Sequence, residues 1–381
     1  MTKSFLVLLF FLLTSCSSHI NKNIAADVES RMLKFMEEKK ISGAVTLAYH
    51  NDNIIHHQAT GLADIDKGLP MTKESLFRIA SLTKNVTAIA VMIQHERGKL
   101  SVNDEVSKYI PAYEKVKVKG SDKPADLRIR HLMSHTSGIN VPGNDGSKSL
   151  KEIAEEAAAK PLNFEPGSQW KYSRGLDVCA RIVEITSGMS FAEFLDKEIF
   201  GPLKMTDTGF YPNEEQGKRL VITYQPTEDG KGIMASTSER LTTPPKGKFT
   251  PSPSGGLISS AKDMGRFYQM LLNGGELNGT RILAPETVKK VRESQTGNHQ
   301  AGFVPGSAWA LGFGLVKEPQ GVTAMLNPGT FGHGGAFGTQ GWIDPATKTV
   351  YVLMIQRTKF GNSDGSDVRE GFQQAVANGI K

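Results

Sequence analysis

The sequence predicts an α/β protein with one mixed, mainly antiparallel sheet that is built from both ends of the chain and flanked by helices. Strand-like runs occur near the start, at 44–50 and 54–60, and again near the end, around 342–344 and 350–355. Helical patterns fill the sequence between these two groups. We therefore expect the strands of both ends to share one sheet, with a helical subdomain inserted between them.

Each element follows from its local pattern, taken in chain order. Apolar residues at helical spacing predict an amphipathic helix at 27–39, and the turn residues at 51–53 join the first two strands. A long apolar helix follows over 86–93 and ends at Gly98. The segment 212–252 is rich in Pro, Gly, Thr and charged residues, which predicts a long surface loop. Further helices are predicted at 130–134, 150–160, 176–186, 191–200, 261–272, 285–293 and 367–377.

The length and charge of the chain limit what it can be. Its 381 residues are enough for a large core, and we expect one domain over 24–381. The 45 Lys and Arg and the 39 Asp and Glu give a formal net charge of +6. No basic patch is interleaved with aromatic residues, so we expect no nucleic-acid partner. The predicted division is an α/β part at about 24–80 and 300–381 and a mostly helical part at about 81–299.

The first residues have the pattern of an export signal that ends at a cysteine. Lys3 supplies a positive start, and the apolar stretch after it is too short to span a bilayer. The small residues before Cys16 resemble the bacterial lipobox, which implies a signal peptide at 1–15, a lipid anchor on Cys16 and a linker at 16–23. Ser17 resembles the residue found at this place in outer-membrane lipoproteins, so we expect a lipoprotein at the periplasmic face of the envelope. An ordinary secretory signal with an incidental cysteine is the alternative.

The motif Ser81-Leu82-Thr83-Lys84 lies between an extended run and the long apolar helix. A serine in the first turn and a lysine three residues later share one helix face, which brings a hydroxyl and an amine within reach of each other. This arrangement activates a weak alcohol nucleophile, and unpaired N–H groups at a helix start favour a developing oxyanion. The same spacing recurs at 168–171 and 259–262, but neither match leads from a strand into a long buried helix.

Two later segments have the composition to complete such a site, which still needs a proton shuttle and a second oxyanion donor. The turn at 164–174 delivers Tyr172 just before a helix, and the Gly-rich segment 332–336 lies just before a C-terminal strand. Glycines there let a substrate approach the backbone closely. His131 and His135 have a metal-like spacing, but no Glu follows His131 as the zinc-protease motif requires, so we expect no metal site.

Three motifs in this order make the chain resemble a known superfamily. They are Ser81-x-x-Lys84, Tyr172-Ser173-Arg174 and His333-Gly334-Gly335. The chain is similar to the class C β-lactamase-like serine hydrolases, which include penicillin-binding DD-peptidases, D-aminopeptidases and family VIII carboxylesterases, and its pattern is closest to the last group. The resemblance covers about residues 25–378 and implies a β-lactamase/DD-peptidase-like fold. Further matching stretches lie at 135–138, 201–208 and 254–263.

The resemblance also implies a role for each matching residue. Ser81 is implied as the acylated nucleophile, Lys84 as the base that deprotonates it, and Tyr172 as the proton shuttle. The backbone N–H groups of Ser81 and Ala336 are implied as the oxyanion hole. No cofactor is implied. The implied substrate-binding residues are His333, Gly334, Gly335, Arg174 and Asn140.

Two positions depart from the superfamily's common patterns. Where β-lactamases carry Asn, which hydrogen-bonds the substrate amide, this chain has Arg174, which cannot accept a hydrogen bond. Arg174 is predicted either to bind a substrate carboxylate or to pair with an acidic neighbour. His333 stands where β-lactamases have lysine and carboxylesterases often have tryptophan. It is either a titratable substrate contact or a backbone-turn residue.

These observations favour an exported serine hydrolase that cleaves carboxylic esters through an acyl-enzyme on Ser81. The expected substrates are small-molecule esters, and the expected contact with a membrane is through the lipid on Cys16. The first alternative is a DD-peptidase or β-lactamase-like amidase acting on peptidoglycan or β-lactams. A non-catalytic envelope binding lipoprotein is a further alternative, although a binding module has no need of Ser81, Lys84 and Tyr172 together.

Overall fold

A computed structural model of the chain describes residues 23–143, 145–247, 249–361 and 363–381. The predicted signal peptide and Cys16 lie outside these ranges. The strands are β1 Gly43–His50, β2 Asn53–Asp64, β3 Leu69–Pro70, β4 Phe77–Arg78, β5 Tyr224–Pro226, β6 Ile233–Ala235, β7 Ile258–Ser259, β8 Glu276–Leu277, β9 Thr280–Arg281, β10 Ser307–Trp309, β11 Gly314–Val316, β12 Phe331–Gly334, β13 Gln340–Asp344 and β14 Thr349–Met354. The helices are α1 Ile24–Glu37, α2 Thr83–Glu96, α3 Ile129–Met133, α4 Leu150–Ala158, α5 Gly175–Ser187, α6 Phe191–Leu195, α7 Glu214–Lys218, α8 Glu239–Thr242, α9 Ala261–Leu272, α10 Pro285–Val291 and α11 Asp367–Gly379.

One sheet joins the two ends of the chain. In the described ranges it has eight strands in the order β10-β11-β12-β13-β14-β1-β2-β3. The first and last long strands are therefore neighbours, with Val45 opposite Met354 and His50 opposite Thr349. The predicted fold class is confirmed, and every strand pair of this sheet is antiparallel.

The sheet lies between two layers of helices. Along β1, Val45 and Leu47 belong to one hydrophobic cluster, whereas Ala44 and Ala48 belong to the other, as the period of two in a strand requires. Helices α1 and α11 pack together over the second cluster, and α9 packs on β1, β13 and β14 over the first. None of the helices in the described ranges combines the length and apolarity of a membrane span.

One sequence prediction is wrong in detail and another is incomplete. The segment 212–252 is not a plain loop, because it contains α7, α8 and the paired strands β5 and β6. These elements are too short to show a hydrophobic period. The segment 332–336 precedes a C-terminal strand, β13, as predicted, but its first residues also form a strand, β12, that the sequence did not predict. Glycine is needed there, since a Cβ at Gly332 would lie 2.1 Å from the backbone oxygen of Gly341 on the next strand. A four-residue strand in which every second residue is glycine lacks the side-chain alternation by which strands are recognised.

Candidate active site

Ser81 lies in a tight turn between strand β4 and helix α2. The backbone N–H of Ile79 donates a hydrogen bond of 3.0 Å to the oxygen of Leu257, which holds the chain beside β7. Ala80 has a φ of 45°, in the left-handed region that only glycine adopts without cost. A 3-10 turn over Ala80–Leu82 then leads into α2. The strained turn presents Ser81, half-buried, at the start of a buried helix.

The amine of Lys84 is buried in the first turn of α2. Its Nζ lies 3.4 Å from Oγ of Ser81 and donates a hydrogen bond of 2.6 Å to the backbone oxygen of Ser254. Burial lowers the pKa of Lys84 to about 7, while the charge of Asp177 raises it and that of Arg174 lowers it. At neutral pH, a large fraction of this amine is therefore unprotonated and able to accept a proton.

Tyr172 reaches the same point from the turn before α5. Its hydroxyl oxygen lies 2.7 Å from Nε2 of His333, and Nζ of Lys84 lies 4.8 Å from the centre of its ring. Burial raises the pKa of Tyr172 far above that of a free phenol, and a hydrogen bond with Ser81 acts in the opposite direction. The phenol is therefore protonated at neutral pH and has a proton to give.

His333 is a buried strand residue rather than a turn residue. It lies in β12 with 2 % of its surface exposed, and its Nδ1 lies 3.5 Å from Oδ2 of Asp364. Burial lowers the pKa of His333 and outweighs Asp364, which raises it. The ring is therefore neutral at pH 7, unlike the permanent cation that a lysine would supply.

The two predicted oxyanion donors come from segments in direct contact. Oγ1 of Thr339 donates a hydrogen bond of 3.0 Å to the backbone oxygen of Ile79, and a Cβ at Gly335 would lie 2.5 Å from that same oxygen. Ala336 thus follows a residue that touches the turn of Ser81. Within the described ranges, the N–H groups of Ser81 and Ala336 make no hydrogen bond to a protein acceptor. Their use as an oxyanion hole stays a prediction.

Arg174 pairs with an acidic neighbour, which was one of its two predicted roles. Its Nη2 lies 2.6 Å from Oδ2 of Asp177, a fully buried side chain, and its Nη1 donates a hydrogen bond of 2.8 Å to the backbone oxygen of Pro142. Asn140 is exposed and exchanges hydrogen bonds of 3.0 and 3.3 Å with Asn163 instead of joining the cluster around Ser81.

Sequence patterns did not reveal the aromatic cluster around Tyr172. The ring of Phe303 stacks nearly parallel to His333 at 6.1 Å between centroids and meets Tyr172 edge-on at 4.9 Å. His135 lies 4.4 Å from Tyr172, and its Nδ1 accepts a hydrogen bond of 3.1 Å from the N–H of Ser173. His135 is part of a stretch that resembles the superfamily, whereas Phe303 lies in no motif. The cluster consists of His135, Trp170, Tyr172, Phe303, Trp309 and His333.

The arrangement has the groups that acyl transfer needs. It combines a hydroxyl, an amine that titrates near neutrality, a protonated phenol and two backbone N–H groups. In the described part of the chain, no group of three or more His, Cys, Asp or Glu side chains is placed to hold a metal ion.

Comparison with known proteins finds relatives along nearly the whole chain. The Beta-lactamase family model matches residues 28–375. Esterase EstB of Burkholderia gladioli is 29% identical over 380 residues, which cover 90% of this chain and 93% of EstB. Protein Rv1367c of Mycobacterium tuberculosis (strain ATCC 25618 / H37Rv) is 31% identical over 348 residues, which cover 83% of this chain and 86% of that protein.

Solved structures share the fold. EstCE1, described as a hydrolase with promiscuous acyltransferase activity, matches with a TM-score of 0.79 and 25% identity over 94% of this chain and 98% of its own. A family VIII carboxylesterase matches with a TM-score of 0.76 over 94% of this chain and 98% of its own. At 18% identity, the second match shows the fold alone.

Proposed function

The chain belongs to the Beta-lactamase family and is a serine hydrolase of that fold, and from this premise we propose that it cleaves carboxylic esters through an acyl-enzyme on Ser81. The observation that carries the proposal is the 3.4 Å contact between Oγ of Ser81 and a buried amine whose pKa is about 7. Such a contact supplies a base at the nucleophile without a histidine or a metal ion.

In the proposed reaction, the neutral amine of Lys84 takes the proton that leaves Ser81 as Oγ attacks the ester carbonyl. The N–H groups of Ser81 and Ala336 stabilise the resulting oxyanion. Tyr172 gives its phenolic proton to the departing alcohol and recovers one from the Lys84 ammonium. Water then attacks the acyl group by the same steps in reverse, which restores the free serine.

Two features of the site support esters over amides. Arg174, held by Asp177 and Pro142, has no lone pair with which to accept a hydrogen bond from a substrate amide N–H. The edge-on rings of Trp170 and Phe303, half-buried beside Tyr172, offer apolar surface to an acyl or alcohol group. EstB, a relative along most of this chain, is named an esterase.

Acyl transfer to an alcohol is a second candidate function. An acyl-enzyme is released by any hydroxyl that reaches its carbonyl, and the apolar surface of Trp170 and Phe303 beside Tyr172 favours an alcohol over water. EstCE1, which shares the fold at 25% identity, is described as having promiscuous acyltransferase activity. Export and a lipid anchor on Cys16 stay predictions that depend on residues 1–17.

The test is hydrolysis of a chromogenic butyrate ester by the purified protein. We predict that Ser81→Ala lowers kcat about 1,000-fold or more without unfolding the protein, because the nucleophile is lost. Ser168→Ala is the matched control, since Ser168 begins another Ser-x-x-Lys match but is exposed and donates to the backbone oxygen of Glu165. Its rate should match wild type.

Two outcomes would contradict the proposed ester hydrolysis. Ester turnover by a folded Ser81→Ala protein would exclude Ser81 as the nucleophile. Turnover of a chromogenic cephalosporin or a D-Ala-D-Ala peptide, with none of the ester, would support the amidase alternative instead. Addition of a short-chain alcohol to the ester assay distinguishes hydrolysis from acyl transfer. An acyltransferase forms a new ester with the added alcohol, whereas a strict hydrolase forms only the free acid.

A further inference from the structure

A buried carboxylate lies behind the imidazole that contacts Tyr172. Asp364, in a 3-10 turn at Ser363–Gly365, is 4% exposed, and its Oδ2 lies 3.5 Å from Nδ1 of His333. The other ring nitrogen, Nε2, lies 2.7 Å from the hydroxyl oxygen of Tyr172. In the described part of the chain, Nδ1 makes no hydrogen bond of ordinary geometry, and the carboxylate of Asp364 is the acceptor that faces it. Tyr172, His333 and Asp364 thus follow one another from the site into the core.

The backbone of β12 is shaped to receive this carboxylate. A Cβ at Gly334 would lie 2.0 Å from Oδ1 of Asp364 and 2.6 Å from Nε2 of Gln340. The side chain of Gln340 also donates a hydrogen bond of 2.7 Å to the backbone oxygen of Ser363. The turn that carries Asp364 is therefore fixed against β12, which carries His333 and Gly334, and against the start of β13.

A buried cation on α11 favours the ionised form of Asp364. Arg369 is fully buried, donates a hydrogen bond of 2.6 Å to the backbone oxygen of Asp364, and lies 3.8 Å from the ring centre of Trp342. Burial opposes ionisation of Asp364, but His333 and Arg369 together hold the pKa of its carboxyl below the usual value. The carboxylate is thus an acceptor with no proton to donate.

We propose that Asp364 is a positioning residue that holds His333 in the tautomer with its proton on Nδ1. In the resting site, the lone pair of Nε2 then accepts the hydrogen bond of the Tyr172 hydroxyl, and the lone pairs of the phenol oxygen face Ser81. Rotation about the phenolic C–O bond turns that proton from Nε2 towards the departing alcohol during the reaction. No bond forms or breaks at Asp364, which acts only through the imidazole. This inference rests on the proposed acyl-transfer function of Ser81 and adds to it a residue that lies in none of the sequence motifs.

The tautomer is measurable without turnover, by nitrogen-15 NMR of the imidazole rings in the purified wild-type protein. His333 is assigned from the signals that disappear in His333→Gln. We predict a protonated Nδ1 and a bare Nε2 in wild type at neutral pH, and loss of this single form in Asp364→Asn, whose amide can turn either an oxygen or an NH2 group to the ring. A proton on Nε2 in wild type would overturn the proposal even if no Asp364 variant folds.

Kinetics separate positioning from a purely structural role. We predict that Asp364→Asn lowers kcat about 100-fold with little change in KM, because the proton shuttle is misaligned. In a His333→Gln background, the same substitution should change kcat less than about threefold, since Asp364 acts only through that ring. Asp344→Asn is the matched control, a buried aspartate at the end of β13 whose loss should leave kcat unchanged.

Equal losses from Asp364→Asn in both backgrounds, or no loss in either, would overturn the proposal. Failure of this positioning role for Asp364 can be distinguished from failure of the proposed acyl-transfer function. The Ser81→Ala comparison tests acyl transfer without reference to the tautomer, and the NMR measurement tests the tautomer without a substrate.

Discussion

Lys84 owes its basicity to where its amine is held. The side chain is buried, and its hydrogen bond to the backbone oxygen of Ser254 does not supply the counter-charge that would keep the amine protonated. Burial brings its pKa down to about 7, with Asp177 and Arg174 acting in opposite directions. Because the unprotonated amine is the active form, the rate should rise as pH rises through about 7 and level off above it.

Arg174→Asn tests the electrostatic part of this account. Removing the guanidinium abolishes a charge that lowers the pKa of Lys84 and leaves Asp177, which raises it, without its ion-pair partner. We predict that the acid limb of the pH–rate profile moves to higher pH, so that the variant loses more activity below pH 7 than above it. The pH dependence of kcat/KM with the butyrate ester measures this shift.

Arg181→Asn is the matched control for that shift. Arg181 lies on helix α5, which begins directly after Arg174, and it also pairs with an acidic residue three positions further along, Glu184, at 2.9 Å. Its charge is not among those that act on the Lys84 amine. An acid limb that moves equally in both variants, or in neither, would show that Arg174 does not tune Lys84.

At the scale of elements, β12 joins the imidazole to the sheet. Its residues pair with β11 on one side and β13 on the other, and glycines on both sides of His333 let neighbouring groups approach the backbone. The sequence predicted that these glycines let a substrate approach the backbone, but not that they belong to a strand or that protein groups pack against them. The groups that approach Gly334 and Gly335, such as Asp364 and Ile79, come from distant parts of the chain.

Gly334→Ala tests this close packing. The added methyl would overlap Oδ1 of Asp364 at 2.0 Å, and Gly334 has no left-handed φ, so the effect is steric. We predict a loss of about 1–3 kcal/mol in the free energy of unfolding, together with a lower kcat. Gly143→Ala is the control, because Gly143 is exposed and nothing in the described ranges lies within 4 Å of its added Cβ. Equal stability of Gly334→Ala and wild type would contradict this packing.

At the scale of the whole molecule, the site forms where both ends of the chain meet the helical region. Ser81 and Lys84 were predictable because a spacing of three residues, from the 3-10 turn into the first turn of α2, brings them together. Arg174 was predicted either to bind a substrate carboxylate or to pair with an acidic neighbour, and the structure identifies that neighbour as Asp177, three residues further along the chain.

Asp364 and Phe303 were not predictable, because no local pattern marks them. Phe303 lies in an irregular segment and Asp364 in a short turn, and both reach the site only through closure of the sheet. Strand-like runs at both ends of the chain, with helices between them, were enough to predict the shared sheet, which β1 and β14 form by pairing. Contacts made across that sheet depend on register and side-chain direction, which one sequence does not specify.

The most direct test of the central claim is the intact mass of the protein, quenched with acid during turnover of the butyrate ester. The account predicts an added mass of one butyryl group in wild type, located on Ser81 by peptide mapping and missing from Ser81→Ala. An acyl group on another residue would contradict the assignment of the nucleophile. Rapid ester turnover with no acylated protein, even in rapid-quench samples of the first turnover, would contradict acyl transfer through a covalent intermediate.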